Sequence, residues 1–235
     1  MISFFHNYLP QPILFNLGSV EIHWYGLLIV TAMIAGLLVA IKLAGRLGIK
    51  SDEVVDLGFY LIVFSVVGAR IYAVLLFWQY YWHNPFEIVA VWHGGLAIHG
   101  AIIGGIATLL IYCWKKRYSF WFWADIGAVV LALGQTIGRW GNYFNQENFG
   151  LPTNLPWGIP ISPINRPPGF EQFNYFQPTF LYESGLDLLN FAVLVFLFCR
   201  FNKRKTENRD QKTEIRNRRT ENRKMERFSF FNLSI

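Results

Sequence analysis

The sequence predicts an all-α, polytopic helical membrane protein with about five transmembrane helices, its N-terminus outside and its C-terminus cytoplasmic. Three observations carry that expectation. Only 15% of the 235 residues are charged, where a soluble domain carries roughly 25%, and mean hydropathy is +0.29. Five apolar runs approach the ~20 residues needed to cross about 30 Å of hydrocarbon as a helix. Lys and Arg, finally, fall in alternate connections, as the positive-inside rule requires.

The runs cover residues 24–41, 57–78, 95–114, 121–140 and 178–199. The first and third are cleanly apolar. The second contains Arg70, the fourth Asp125 and Gln135, and the fifth Glu183 and Asp187. Lys42, Arg46 and Lys50 follow the first run, and Lys115, Lys116 and Arg117 follow the third. Residues 1–23 and 79–94 hold no Lys or Arg, and 141–177 holds only Arg166. The start shows no basic n-region and no small-residue cleavage site, so no signal peptide is expected. The net charge of +6 is no sign of nucleic-acid binding, because 12 of the 21 Lys and Arg lie from Arg200 onward. Cys113 and Cys199 offer neither a disulfide framework nor metal spacing, and no metal or other cofactor is expected.

With this orientation the costly polar groups converge on the outer half of the membrane. Tyr25 opens the first span, Arg70 lies about two turns below the outer end of the second, and His99 about one turn into the third. Arg139 and Asn142 close the fourth, and Glu183 enters the fifth. Asp125, Ala128, Ala132, Gln135, Arg139 and Asn142 recur at spacings of three and four, a small-and-polar stripe expected to face protein or water rather than lipid. A histidine can take up a proton near neutral pH, or can simply hydrogen-bond a neighbour. Arg139 cannot shed its charge, so it needs an anion: Glu183 or Asp187, or the phosphate or carboxylate of a ligand. Arg70 has the same two readings. No enzyme nucleophile stands out, since Cys113 lies fourteen residues from His99, about 21 Å along a helix. His93 and His99, six apart, do not share a helical face for metal binding. The loop 142–177, rich in Pro, Asn and Gly, reads as a lid or a substrate-binding surface.

The segment GRWGNYFNQENFG (138–150) resembles the signature of the prolipoprotein diacylglyceryl transferases. HWYG (23–26), GARIY (68–72), GGLAIHGAIIGG (94–105) and PTFLYES (178–184) resemble that family's other motifs, in its order, over roughly residues 10–200. The resemblance implies transfer of the diacylglyceryl group of phosphatidylglycerol to the lipobox cysteine of an exported prolipoprotein, at the outer leaflet of a bacterial inner membrane. A thioether forms and glycerol 1-phosphate leaves. Partners would be phosphatidylglycerol, the lipobox peptide and membrane lipid. The resemblance further implies that His99 is the base and that Arg139 and Asn142 hold the head group. Tyr25, Glu147, Gly150 and Glu183 match the remaining motif positions. Gln146 stands where glycine is more usual, and Gln177 where histidine usually precedes Pro-Thr.

The family pattern has seven spans, the sixth with a Tyr-Gly…Arg…Glu-Phe motif. After Phe201 this chain instead reads as a basic low-complexity cytoplasmic tail, 202–235, in which Thr-Glu-Asn-Arg, Thr-Glu-Ile-Arg and Thr-Glu-Asn-Arg repeat every seven residues from 206. Residues 1–201 are expected to form the transferase domain. Two other readings stay open: an inactive or partner-dependent phospholipid-binding remnant, and a small-solute transporter. Against the transporter stand the lack of an internal repeat and of paired broken helices.

Overall fold

A computed structural model describes residues 2–18 and 20–202. Five helices are long and apolar enough to cross a membrane: α2 (Trp24–Gly45), α3 (Ser51–Leu76), α5 (Ile98–Lys116), α6 (Phe120–Asn145) and α7 (Thr179–Asn202). The shorter elements are α1 (Ile2–Asn7), the hairpin β1 (Ile13–Leu17) and β2 (Val20–His23), α4 (Trp78–His83), and the antiparallel pair β3 (Ile159–Pro160) and β4 (Tyr175–Phe176). The chain divides into two compact units, Met1–Phe191 and Ala192–Ile235. In the second, the described residues continue α7; Arg200 lies 6.0 Å over the Phe196 ring and Asn202 Nδ2 donates to Phe198 O at 2.9 Å. Apart from Asn202, the expected tail lies outside the described residues.

All five expected spans are helices, with shifted ends. α3 begins six residues early because Asp52 and Glu53 suit its first turn, where the helix dipole favours negative charge. α6 runs to Asn145, so Asn142 belongs to its last turn and does not end it. α5 starts only at Ile98, which puts His99 in its first turn and not a full turn inside. Gly94 and Gly95, at φ +89° and +69°, keep the preceding chain out of the helix.

Within the first unit, α3 packs chiefly on α5 and α2 on α6. The α3–α5 contact is backbone on backbone. A Cβ on Gly68 would lie 2.5 Å from the Gly100 carbonyl oxygen, and Gly104 sits against the Phe64 carbonyl. Without a hydrophobic drive between helices in lipid, such close approach is what holds them, through dispersion and weak Cα–H···O contacts. α2 meets α6 at Gly36, where a Cβ would fall 2.8 Å from Val130 Cγ1, and at Gly141, which lies under the Tyr25 ring. The Trp24 and Phe144 rings stack at 4.5 Å. α5 and α6 meet at their short connection, where Tyr112 and Tyr118 set their ring edges against Trp123. Tyr118 also donates to Glu53 Oε2 at 2.8 Å, and that bond, with burial, pushes its pKa up.

Of the stripe on α6 expected to face protein or water, only Ala132 is buried. Trp123, Ile126, Val129, Ala132 and Thr136 are buried; Asp125, Ala128 and Gln135 are exposed. The positions at spacings of three and four that face the neighbouring helices are mostly apolar, with Thr136 and Arg139 meeting α7.

The loop 142–177 folds into a cap with its own apolar centre. Tyr143, Ile159, Ile161, Phe176 and Phe180 are buried together, with Phe5 of α1 packed against them. His6 stacks flat on Tyr175 at 4.0 Å and bonds Gly158 O at 2.9 Å. At the rim, Glu171 accepts from its own N–H and from Gly169 N–H at 3.0 Å, which holds its carboxyl below the usual range. What that carboxylate adds to the loop is present above the ordinary glutamate pKa and is lost as pH falls through the lowered one.

If the glycine seam holds the α3–α5 pair, Gly68→Val will lower stability by about 1–3 kcal/mol. Gly127→Ala, where a Cβ would meet nothing within 4 Å, will change it by less than about 0.5 kcal/mol. Thermal unfolding in detergent compares the two.

Candidate functional site

Two short connections, 46–50 between α2 and α3 and 117–119 between α5 and α6, reverse the chain at one end of the bundle, and the longer ones, 77–97 and 146–178, lie at the other. Five sequence positions share that other end: the start of α2, the end of α3, the start of α5, the end of α6 and the start of α7. Tyr25, Arg70, His99, Arg139, Asn142 and Glu183 therefore share that end. The Trp24–Phe144 stack and a bond from Ala97 N to Ala69 O at 3.1 Å tie neighbouring ends together. Ser184 joins α7 to α6, donating to Thr136 O at 2.9 Å and accepting from Trp140 Nε1 at 3.1 Å. That bridge was missed in the sequence, although Thr136 and Trp140, four apart, mark one face of α6.

Arg139 finds both acidic candidates. Its Nε lies 3.1 Å from Glu183 Oε2 and 3.9 Å from Asp187 Oδ2. Its side chain keeps 36% exposure and makes no hydrogen bond among the described residues. Asp187 Oδ2 is buried without a hydrogen-bond partner among them. His99 is exposed, and its ring stacks on Tyr72 of α3 at 5.8 Å. No hydrogen bond, ion pair or ring contact joins His99 to Arg139 among the described residues: the imidazole stands on the α3–α5 pair, the guanidinium on the α2–α6 pair.

Arg70 takes the structural of its two readings. It is 6% exposed, and backbone carbonyls account for all five of its N–H groups. Nε donates to Ile88 O at 2.9 Å, and Nη1 to Gly94 O at 2.5 Å and Gly95 O at 2.8 Å. Nη2 donates to Glu87 O and to Ala90 O. In this arrangement the backbone takes every donor that the other reading, contact with a ligand, would use.

The segment 142–150 is shaped by the way α6 ends. Gln146 adopts the left-handed conformation at φ +53°, Gln146 N donates to Tyr143 O, and Glu147 N donates to Asn142 O at 3.0 Å. This is the Schellman closure, which satisfies the last carbonyls of a helix. It swings Glu147 back over the helix end, where Oε1 accepts from Asn142 Nδ2 at 3.1 Å and Asn145 Nδ2 at 3.2 Å. Gln146 is itself buried, donating to Pro10 O at 2.6 Å and accepting from Ser162 N at 2.7 Å. A glycine would suit the backbone there; the glutamine instead sews the N-terminal arm to the cap. Gly150 leaves no room for a side chain, since a Cβ would fall 2.9 Å from Gln177 Cβ and 3.1 Å from Thr179 Cγ2. Among the described residues no group of three His, Cys, Asp or Glu could hold a metal ion.

The family model described as prolipoprotein diacylglyceryl transferase matches residues 12–214. The chain belongs to the prolipoprotein diacylglyceryl transferase family. Proteins named phosphatidylglycerol–prolipoprotein diacylglyceryl transferase are similar to it at useful identity. That of Trichormus variabilis is 50% identical over 191 residues, 81% of this chain and 68% of the relative. Those of Acaryochloris marina and Gloeobacter violaceus are 46% and 45% identical over 83% and 82% of this chain, each with 72% of its own length covered. The chain is thus a multi-pass membrane member of a transferase family.

Gln146 offers a direct check on the helix ending. Gln146→Ala loses both buried bonds and keeps the left-handed strain, whereas Gln146→Gly loses the bonds and relieves it. The alanine variant will be the less stable by about 1 kcal/mol, the cost of that backbone region for a residue with a Cβ. In both variants, limited proteolysis within 147–174 will speed up relative to the parent.

Proposed function

We propose that this chain transfers the diacylglyceryl group of phosphatidylglycerol to the thiol of a lipobox cysteine in an exported prolipoprotein, at the outer leaflet of a bacterial plasma membrane. The observation that carries the reading is family membership at about half identity, together with a partly exposed guanidinium, ion-paired to Glu183, at the bundle end that also carries His99.

The reaction needs a nucleophile, a base and a stabilised leaving group. The thiol supplies the first, and only its thiolate attacks. His99, exposed and in the first turn of α5, takes the thiol proton. Sulfur attacks the glyceryl carbon that bears the phosphate; a C–S bond forms, the C–O bond to phosphate breaks, and glycerol 1-phosphate departs with the electron pair. Arg139 stabilises the charge gathering on that phosphate. Glu183 gives way to it, because a half-exposed carboxylate pair is worth only about 0–1 kcal/mol, less than a forked guanidinium–phosphate contact. Asn142, held by Glu147, orients the glycerol head group, and Tyr25 packs beside it on Gly141. Gly150 keeps the cap close to the start of α7. Arg70 stands outside this set.

Purified chain in phosphatidylglycerol nanodiscs with a lipobox peptide will give a thioether-modified peptide, detected by mass. His99→Gln and Arg139→Ala will each lower kcat/KM by about 100-fold or more, the usual loss for a general base or a charge-stabilising donor. Full activity in both variants would remove the reading.

A further inference from the structure

We propose that Arg70 is a positioning residue for His99, acting through the segment that leads into α5; the catalytic part of this proposal rests on the transferase reading above. The argument starts from α3. Arg70 lies six residues before α3 ends, about 9 Å of helix at 1.5 Å per residue. The chain leaves α3, forms α4, and folds back so that residues 87–95 lie against that level of the helix. This return segment is irregular: two short 3-10 turns, Pro85–Ile88 and Val91–His93, separated by Val89 and Ala90. Such turns leave carbonyls with spare acceptor capacity, even where Glu87 O and Ala90 O accept from Ala90 N and His93 N, and polar backbone groups packed against a helix need donors.

Arg70 supplies them. One planar fork holds Glu87, Ile88, Ala90, Gly94 and Gly95 in a single arrangement. The guanidinium rests 5.0 Å over the Tyr81 ring of α4, so its other side is fixed as well. Gly95 closes on this pair so tightly that a Cβ there would lie 2.6 Å from both Arg70 Nη1 and Tyr81 Oη. Two residues on, Ala97 N donates to Ala69 O, beside Arg70 in sequence. α5 begins at the next residue, and His99 is its second. The imidazole then meets Tyr72, two residues past Arg70 on the same helix. The origin of α5 is therefore referred to α3 on both sides of His99: by the carbonyl fork before it and by the Gly68–Gly100 approach after it. Outside the fork, His93 Nδ1 lies 3.0 Å from Glu87 Oε2, an exposed clasp on the same segment. A lysine could match the charge of Arg70 but not its five donors in one plane.

The test uses the full chain in nanodiscs and two variants that disturb the contact from opposite sides, Arg70→Lys and Gly95→Ala. The reporter that needs no transferase activity is carbethoxylation of His99 by diethylpyrocarbonate, mapped by mass, with His23 as internal reference. Both variants will change the His99 rate several-fold and leave His23 unchanged. On the transferase reading, kcat will fall by up to about 100-fold, the scale of a 1 Å misplacement, with KM for phosphatidylglycerol nearly unchanged. Arg70→Lys added to His99→Gln will lower kcat little further, because the two act as one unit. Parent-like His99 labelling in either folded variant overturns the proposal, as does loss of phosphatidylglycerol binding with His99 labelling unchanged. Should Arg70→Lys fail to fold, Gly95→Ala decides alone. If the parent chain makes no thioether, the transferase reading fails while the labelling still decides whether Arg70 sets His99.

Discussion

An irregular backbone lying against a membrane helix must have its carbonyls satisfied by protein, and Arg70 is how this molecule does so. Where water is scarce, an unpaired carbonyl costs far more than it does at a soluble surface. Five carbonyls taken by one side chain turn a liability into a fixed junction between α3, α4 and α5. The same carbonyls answer the question that the buried charge raises. A guanidinium at 6% exposure would ordinarily call for a carboxylate; here an array of carbonyl dipoles takes that place.

The opposite corner uses the other solution available to a helix end. α6 stops by turning left-handed at Gln146, and that turn positions everything downstream. The Glu147 carboxylate is brought over the helix C-terminus, where the dipole disfavours negative charge. The amides of Asn142 and Asn145 offset this by donating to it. The polar residues of 142–147 are therefore largely each other's partners. Their density in the sequence reflects the demands of ending a helix and attaching a cap as much as the demands of a ligand.

The five spans were legible in the sequence because hydropathy over ~20 residues is a bulk property. The span assignment and the Lys and Arg asymmetry placed Arg139, Asn142 and His99 at one end. Three things were not legible, for related reasons. The start of α5 was set three residues early, since an apolar window averages over Gly94 and Gly95 and cannot see that their carbonyls belong to Arg70. The buried face of α6, Trp123 to Thr136 at spacings of three and four, was not picked out, because helical spacing gives a period but not the direction of the neighbours. The cap's order depends on contacts 136 and 152 residues apart, Gln146 with Pro10 and His6 with Gly158, which no local pattern contains.

The charge balance around Arg139 constrains any anion that would bind there. One guanidinium faces two carboxylates, so the cluster is formally negative before a ligand arrives. Glu183 and Asp187 are not equivalent, however. Glu183 is the closer and the more exposed, with 45% of its side chain accessible against 22% for Asp187. Water can receive the Glu183 carboxylate at small cost, and α7 offers it rotamers toward solvent. Asp187 is more buried and at the longer distance, with Oδ2 shielded from solvent, so it leaves the guanidinium less readily. On the proposed reaction the arrangement therefore works as an exchangeable lid on a fixed cation: Glu183 occupies the guanidinium while the site is empty, and a phosphate displaces it by offering its oxygens to the forked donors.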